Sequence, residues 1–145
     1  MRLELNLLSR QIWIINKDFR KYSENVLKKH DITLVSLRYL IIIKKIEGIN
    51  LQEIAVELNV DKAMVTRTIK KLVDLDLVEK RQDKNNSRSY SLHLTKKGYE
   101  TVDDIKSIFK DWFSSVTCDF TEEERELYIS FIERVYSNRV YKDTI

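Results

Sequence analysis

The chain contains no proline and only two glycines, Gly48 and Gly98. Proline and glycine are the residues that most often interrupt helices or fill flexible linkers. Their scarcity excludes a linker-rich architecture and predicts long helices with few interruptions. With 145 residues, 43% of them hydrophobic and 34% charged, the chain is long enough to bury a core and has a globular rather than a disordered composition.

Cysteine and long apolar runs are scarce as well. The single cysteine, Cys118, excludes an internal disulfide framework and fits a reducing compartment. No apolar run approaches the roughly 18 residues that a membrane-spanning helix needs. The first residues, MRLELNLLSRQ, carry charges and no cleavage-site pattern. We therefore expect a cytoplasmic protein without a secretory signal or a membrane partner.

The charged residues are unevenly distributed along the chain. Residues 61–99 carry ten basic and five acidic side chains, whereas residues 100–145 carry six basic and eleven acidic ones. The middle segment is therefore strongly positive and the C-terminal segment strongly negative, although the whole chain is only +3. A localised basic segment indicates a surface for a polyanion. The alternative is that these charges are scattered over an ordinary solvated surface.

Four helices are predicted in the first half of the chain. Apolar residues spaced by three and four predict a long amphipathic first helix that ends near KKHDIT. Thr33 can cap a second helix, and Gly48 supplies the turn after it. Asn50 and Glu53 have the spacing of a capping box for a short third helix. Asp61 can cap the fourth helix.

The fourth helix, DKAMVTRTIKKL, has two chemically different faces. Val65, Ile69 and Leu72 recur at spacings of four and three and are expected to face the core. Small side chains on the other face let a backbone approach the major groove, and arginine can make two bonds to guanine. We predict DNA contacts from six residues: Thr66 and Arg67 on bases or phosphates, Lys62 and Lys70 on the flanking backbone, and Ala63 and Met64 near thymine methyl groups.

A β-hairpin is predicted directly after the fourth helix. Residues 77–82 and 90–94 are strand-like, and DKNNS between them is rich in turn residues. The third and fourth helices, two short helices joined by a tight turn, have the elements of a helix-turn-helix, in which the second is the recognition helix. A hairpin placed directly behind a recognition helix is typical of the wing in a winged helix-turn-helix. We predict that Arg88 enters the minor groove and that Lys84 assists it. The alternative is an exposed hairpin that carries polar side chains only because it is solvated.

From Thr33 to Gly98 the chain resembles the winged helix-turn-helix of the MarR family of bacterial transcription regulators. The resemblance rests on VTR in the fourth helix, LVEKR at the first strand and LTKKG before the next helix. The sequence departs from the family pattern at Asp76, where glycine is usual, and at Asn86, which replaces an acid at the wing tip. The resemblance implies a mainly α fold with a small β-hairpin wing, in which residues 33–98 bind DNA.

The segments on either side of this domain are rich in apolar residues at helical spacing. A long helix is predicted to begin at Thr95, and a last helix opens with a capping box from Thr121 to Glu124. The resemblance implies that residues 1–32 and 99–145 form long dimerisation helices of a two-fold homodimer. Two recognition helices would then meet successive major grooves of a pseudo-palindromic operator. The alternative is that these helices cap the core of a monomer.

The expected function is that of a sequence-specific, dimeric DNA-binding transcription regulator and, by analogy with the family, a repressor. Two alternatives stay open: a winged-helix module that binds an acidic protein, and a nonspecific DNA-binding protein. A small-molecule effector would act by shifting the separation of the two DNA-binding lobes. Trp13, Tyr39 and Trp112 are candidates to line its pocket, or are ordinary core and interface residues.

No pattern of residues indicates an enzyme. The sequence has no nucleophile–base pair, glycine-rich phosphate loop or paired-acid motif. His30 and His93 lie far apart in sequence and lack metal-ligand spacing. Cys118, near the turn before the last predicted helix, is interpreted as an ordinary thiol, and the acids at 122–124 as a favourable helix start. We therefore expect no catalytic residue, no metal and no cofactor.

Overall fold

The computed structural model describes residues 5–83 and 86–138, and the side chains of residues 6–82 and 90–138. The chain divides into two compact units, Met1–Lys106 and Ser107–Ile145. The fold is mainly α with one β-hairpin, as the sequence predicts. In chain order the elements are α1 (Leu5–Lys28), α2 (Leu34–Lys45), α3 (Leu51–Leu58), α4 (Lys62–Asp74), β1 (Val78–Asp83), β2 (Asn86–Leu94), α5 (Lys96–Val116) and α6 (Glu122–Asn138).

The predicted caps of α2 and α3 are present. The hydroxyl of Thr33 accepts a hydrogen bond from the Ser36 N–H at 3.1 Å. The side-chain oxygen of Asn50 accepts from the N–H groups of Gln52 and Glu53, both at 2.9 Å. The Glu53 carboxylate accepts in return from the Asn50 N–H at 2.8 Å, which completes the capping box. These bonds satisfy amides that a helix start leaves unpaired, so the sequence itself sets where each helix begins.

The turn between α2 and α3 joins the wing, which is the hairpin of β1 and β2. Gly48 has a φ of +80°, a conformation that glycine adopts without steric cost. Its N–H donates to the Leu92 carbonyl at 3.2 Å, and the Leu92 N–H donates to the Ile49 carbonyl at 2.9 Å. The wing is therefore joined to the α2–α3 turn by backbone hydrogen bonds, in addition to its covalent connection to α4.

The wing is antiparallel, and β2 is longer than the sequence predicts. Gln82 lies opposite Tyr90, but the next pair is Asp83 with Asn86, so β2 carries extra residues that form a bulge. The predicted strand start at Tyr90 is therefore wrong, because β2 begins at Asn86. Backbone pairing does not require alternating apolar side chains, and it continues through polar residues that resemble a turn in sequence.

The core of unit 1 lies among α2, α3, α4 and the wing, with the end of α1 and the start of α5. Val65, Ile69 and Leu72 of α4 have no exposed surface, which confirms the predicted core face of this helix. Burial of each such side chain contributes about 1.5–3 kcal/mol. The other large side chains with almost no exposure in this unit are Leu27, Tyr39, Leu40, Ile43, Ile49, Ile54, Leu77, Leu92 and Ile105.

Unit 2 contains the end of α5 and all of α6. The Thr121 N–H donates to the Glu124 carboxylate at 2.8 Å, and the Glu124 N–H donates to the Thr121 hydroxyl at 3.2 Å. The predicted capping box of α6 is thus confirmed. The Arg125 guanidinium donates to the Thr117 carbonyl at 3.0 Å and so satisfies a group at the end of α5.

Each unit leaves an apolar helix face exposed. In unit 1 every residue from 6 to 18 of α1 is exposed. In unit 2 no residue of α6 is buried. The exposed apolar side chains are Leu7, Leu8, Ile12, Trp13, Ile14 and Ile15 of α1, and Leu127, Tyr128, Ile129, Phe131, Ile132, Val135 and Tyr136 of α6. Within the described part of the chain, no helix is both long and apolar enough to cross a membrane.

Candidate nucleic-acid interface

The first turn of α4 is set by Asp61. Its carboxylate accepts a hydrogen bond from the Met64 N–H at 2.8 Å, which confirms the predicted cap. The helix begins at Lys62 and runs to Asp74. An aspartate at this position also complements the positive end of the helix dipole. The helix start is therefore held by local chemistry and does not depend on a bound partner.

The six contact residues predicted in the fourth helix lie on the exposed side of α4. Each of them is exposed, whereas Val65 and Ile69 between them are fully buried. Residues three and four positions apart share a helix face, so these side chains form one continuous surface. We call this surface the contact strip; it consists of Lys62, Ala63, Met64, Thr66, Arg67 and Lys70.

The hydroxyl of Thr66 has a defined hydrogen-bonding role within α4. Its Oγ1 donates to the Lys62 carbonyl at 2.9 Å. A hydroxyl has one proton to donate and two acceptor lone pairs. Because the proton is used inside the helix, Thr66 in this rotamer can accept from a base or present its methyl group, but it cannot also donate to a phosphate.

The wing residues predicted to contact DNA are only partly described. Lys84 lies outside the described residues. Arg88 belongs to β2, in the bulge, but its side chain is outside the described residues. A third wing cation, Arg81, pairs with the Glu79 carboxylate, and its Nε lies 2.9 Å from Oε1. The charge of Arg81 is therefore partly balanced within β1.

His93, at the base of the wing, lies beside the α2–α3 turn, a position that sequence reasoning missed. Its Nε2 lies 3.0 Å from the Ser91 Oγ, and its Nδ1 lies 3.8 Å from the Glu47 carboxylate. The Ser91 hydroxyl also approaches the Arg81 carbonyl at 3.3 Å. Strand alternation places Ser91 and His93 on one face of β2, but the position of Glu47, which is remote in sequence, gives no local signal.

An open groove in unit 1 lies between α1, the start of α2 and the end of α4. Its volume is about 540 Å³, and its lining includes the cations Arg20, Lys28 and Lys71, the acids Glu24 and Asp31, and the apolar residues Leu27 and Ile32. The three aromatics considered for an effector pocket do not line it. Trp13 is exposed on α1, Tyr39 is buried in the core and Trp112 is half-buried in unit 2.

The remaining candidates from the sequence analysis are histidine, cysteine and acidic side chains in the described part of the chain. There, no group of three or more histidine, cysteine, aspartate or glutamate side chains is placed to hold a metal ion. Cys118 is an exposed free thiol near the end of α5. The acids at positions 122–124 lie in the first turn of α6, where they complement the helix dipole.

The α3–α4 pair followed by the wing has the arrangement of a winged helix-turn-helix, and comparisons with known proteins identify its family. A family model described as the MarR family matches residues 32–90. The HTH-type transcriptional regulator BilQ of Clostridioides difficile (strain CD3) is 38% identical over 122 residues, which cover 84% of this chain and 82% of BilQ. The chain belongs to the MarR family.

Solved structures of MarR proteins share this fold. A crystal structure of MarR superposes with a TM-score of 0.72 at 29% identity and covers 90% of this chain and 95% of that one. A MarR mutant from E. coli in complex with operator DNA gives a TM-score of 0.67 at 24% identity, with 91% and 95% covered. The curated MarR-type relatives are named as transcriptional regulators and not as enzymes.

Proposed function

We propose that the protein is a sequence-specific, dimeric DNA-binding repressor, with α4 in the major groove and the wing at the minor groove. The observation that carries the proposal is the division of α4 into a fully buried face and the contact strip. The buried face holds the helix against the core, so its cationic and small side chains remain available for an external partner. A MarR relative of the same fold is known in complex with operator DNA.

The proposed contacts follow from the chemistry of the strip. Arg67 bonds a base edge, because its guanidinium can make two parallel hydrogen bonds to guanine. Thr66 accepts from a base or touches a thymine methyl group. Lys62 and Lys70 contact phosphates, Ala63 and Met64 offer apolar contact, and the wing residues Lys84 and Arg88 lie at the minor groove.

The proposal includes a homodimer formed by residues 1–32 and 99–145, with residues 33–98 as the DNA-binding domain. Its support is the apolar face that each unit leaves exposed. Monomeric proteins rarely expose contiguous apolar patches of this kind. A two-fold dimer would present two copies of α4 to a pseudo-palindromic operator.

Repression would follow from occupancy of the operator, because a bound dimer excludes polymerase from an overlapping promoter. Transcription in vitro from such a promoter should therefore fall as the protein is added. A rise in transcription from the same template would show that the protein is an activator and would contradict this part of the proposal.

A small-molecule effector is also part of the proposal. The groove beside Lys28 and Lys71 has one more cation than acids in its lining, and it also contains the apolar side chains Leu27 and Ile32. A small organic acid could pair its carboxylate with Lys28 and place its apolar part on these side chains. Small aromatic and aliphatic acids should raise the melting temperature of the wild type but not of Lys28→Met. Equal shifts in both proteins would place ligand binding elsewhere.

The first test of the proposed function is selection of bound duplexes from a random pool at about physiological salt. An inverted repeat with half-sites about one or two helical turns apart would support a dimeric regulator. Salt-sensitive binding without a motif would favour a nonspecific DNA-binding protein. Absence of DNA binding would favour the protein-interaction module instead.

Substitutions in the contact strip separate base contacts from phosphate contacts. Arg67→Ala should lower specific affinity by about 1–3 kcal/mol and relax the preference at one base pair. Lys70→Ala should weaken all duplexes alike and reduce the slope of log K against log salt by about one. Lys106→Ala, which removes an exposed cation from α5, is the matched control. If Arg67→Ala and Lys70→Ala bound every duplex as the wild type and the control do, the assignment of the strip would be wrong.

A further inference from the structure

The end of the recognition helix α4 is bonded to the start of α5. Three successive carbonyls beyond the last residue of α4, those of Leu75, Asp76 and Leu77, accept hydrogen bonds from the segment that opens α5. The Lys97 ammonium donates to Leu75 at 2.7 Å, the Thr95 hydroxyl donates to Asp76 at 2.6 Å, and the Thr95 N–H donates to Leu77 at 3.2 Å. The donors lie 18 to 22 residues away in sequence from the groups they satisfy.

Gly98 lets the two segments approach closely. A Cβ atom at this position would lie 2.1 Å from the Leu77 carbonyl oxygen and 3.1 Å from its carbon. The obstacle is backbone, so it cannot move aside as a flexible side chain would. Gly98 is also the residue whose N–H donates to the Thr95 hydroxyl at 3.0 Å. The close contact and the hydrogen bonds therefore involve the same turn of α5.

The placement of Lys97 indicates that its charge stabilises the end of α4 and not the start of α5. A cation in the first turn of a helix is disfavoured by that helix's own dipole, whereas a cation beside a helix C-terminus is favoured. Lys97 lies in the first turn of α5 but donates to a carbonyl at the end of α4. Its neighbour Lys96, which is exposed like Lys97, instead lies 3.8 Å from Glu100 on α5 itself.

We propose that Thr95, Lys97 and Gly98 form a clamp that makes the end of α4 and the start of α5 one rigid body, so that the direction of α5 sets the orientation of the recognition helix. These residues are positioning residues for DNA recognition and do not contact DNA. The inference rests on the proposed function, because a dimer built partly from α5 would use the clamp to fix the separation and angle of its two copies of α4.

The spacing of operator half-sites provides the test. One inserted base pair moves a half-site by about 3.4 Å and rotates it by about 35° around the duplex. If the clamp is rigid, the protein should therefore bind the duplex with the selected spacing much more tightly than duplexes whose spacing differs by one base pair. Dissociation constants would be measured for the three duplexes by fluorescence anisotropy, at one salt concentration and well below the melting temperature of every variant.

Two matched pairs of variants isolate the clamp. Lys97→Met removes the ammonium donor, and Lys96→Met removes the same charge from the adjacent position. Thr95→Val removes the hydroxyl, and Thr95→Ser retains it. Lys97→Met and Thr95→Val should lower the ratio of affinities between the selected and altered spacings by about threefold or more, whereas the two control variants should keep the wild-type ratio. A role in stability alone would lower the melting temperature without changing this ratio.

Hydrogen exchange tests the clamp without DNA. The Asp76 and Leu77 amides donate to the Val73 and Leu72 carbonyls, so they report on the turn that the clamp holds. These amides should exchange faster in Lys97→Met than in Lys96→Met. Equal exchange would overturn the clamp, and faster exchange with an unchanged spacing ratio would overturn its positioning role. If the wild type selected no inverted repeat, the proposed function itself would fail, whatever the exchange result.

Discussion

At the scale of single residues, Asp76 has a conformation that normally favours glycine. Its φ is +57°, in the left-handed region. Its N–H donates to the Val73 carbonyl and the Leu77 N–H donates to the Leu72 carbonyl, both at 2.9 Å. This pair of bonds is the Schellman motif, which requires a left-handed residue directly after the helix C-cap. A left-handed residue is therefore required here, which fits the glycine expected from the family pattern, and aspartate can stand in its place because it tolerates this region better than most residues.

Replacement of Asp76 by glycine should stabilise the protein. We expect a gain of about 0.5 kcal/mol, because relief of the left-handed backbone exceeds the added entropy of the unfolded chain. Asp76→Ala, which keeps the strain and loses the tolerant side chain, should cost about 1 kcal/mol. Urea unfolding at one fixed protein concentration measures both. A loss of stability in Asp76→Gly would mean that the aspartate side chain has a stabilising role of its own.

Residue-scale features were predictable from the sequence where the interacting groups are close in the chain. The caps at Asn50 and Asp61 were found because each side chain bonds an amide only two or three residues away. The bond from Lys97 to the Leu75 carbonyl could not be predicted, since the partners are 22 residues apart and a backbone carbonyl carries no sequence signal. The approach of His93 to Glu47 could not be predicted either, because these two residues are also far apart in sequence.

At the scale of elements, α4 combines a strong cap with a surface for a polyanion. The Asp61 carboxylate that caps the helix also places a negative charge directly beside the contact strip. Its capping role favours folding, whereas its charge opposes the approach of phosphate. The two effects can be separated, because asparagine caps a helix about as well as aspartate but carries no charge.

Asp61→Asn should therefore leave stability nearly unchanged and raise affinity for every duplex by about twofold, through the loss of one repulsive charge near the phosphates. Asp61→Ala should raise nonspecific affinity similarly but cost about 1 kcal/mol of stability, because the Met64 N–H loses its acceptor. Anisotropy titrations and thermal melts on the two variants measure these effects. An unchanged affinity in Asp61→Asn would indicate that the start of α4 lies away from DNA.

The helices were more predictable than the wing. Helix α4 is specified locally, by Asp61 at its start and by apolar residues at spacings of three and four along it. The start of β2 depends instead on the pairing of Asp83 with Asn86 across the hairpin. That pairing follows from backbone geometry and not from apolar alternation, so polar residues at the end of the wing resembled a longer turn.

At the scale of the whole molecule, positive and negative side chains are concentrated in different segments of the chain. The segment that contains α4 and the wing is basic, and the segment from residue 100 onward is acidic. The basic segment attracts the phosphates of DNA and the acidic segment repels them, so the charge pattern favours contact through the part of the chain that contains α4 and the wing. The apolar faces were predictable as helical stripes, but their exposure was not, because a sequence pattern does not distinguish a core face from an interface.

A charge placed in the exposed apolar face of α6 should separate the proposed dimer. Phe131 is 48% exposed in the single chain, and its burial in a dimer would not tolerate a carboxylate. Phe131→Glu should therefore be a folded monomer by light scattering, and it should bind the inverted repeat only as weakly as a single half-site. Ser130→Glu adds the same charge on the opposite, polar face of α6 and should remain dimeric. A dimeric Phe131→Glu would exclude α6 from the interface, whereas a monomeric wild type would overturn the dimer itself.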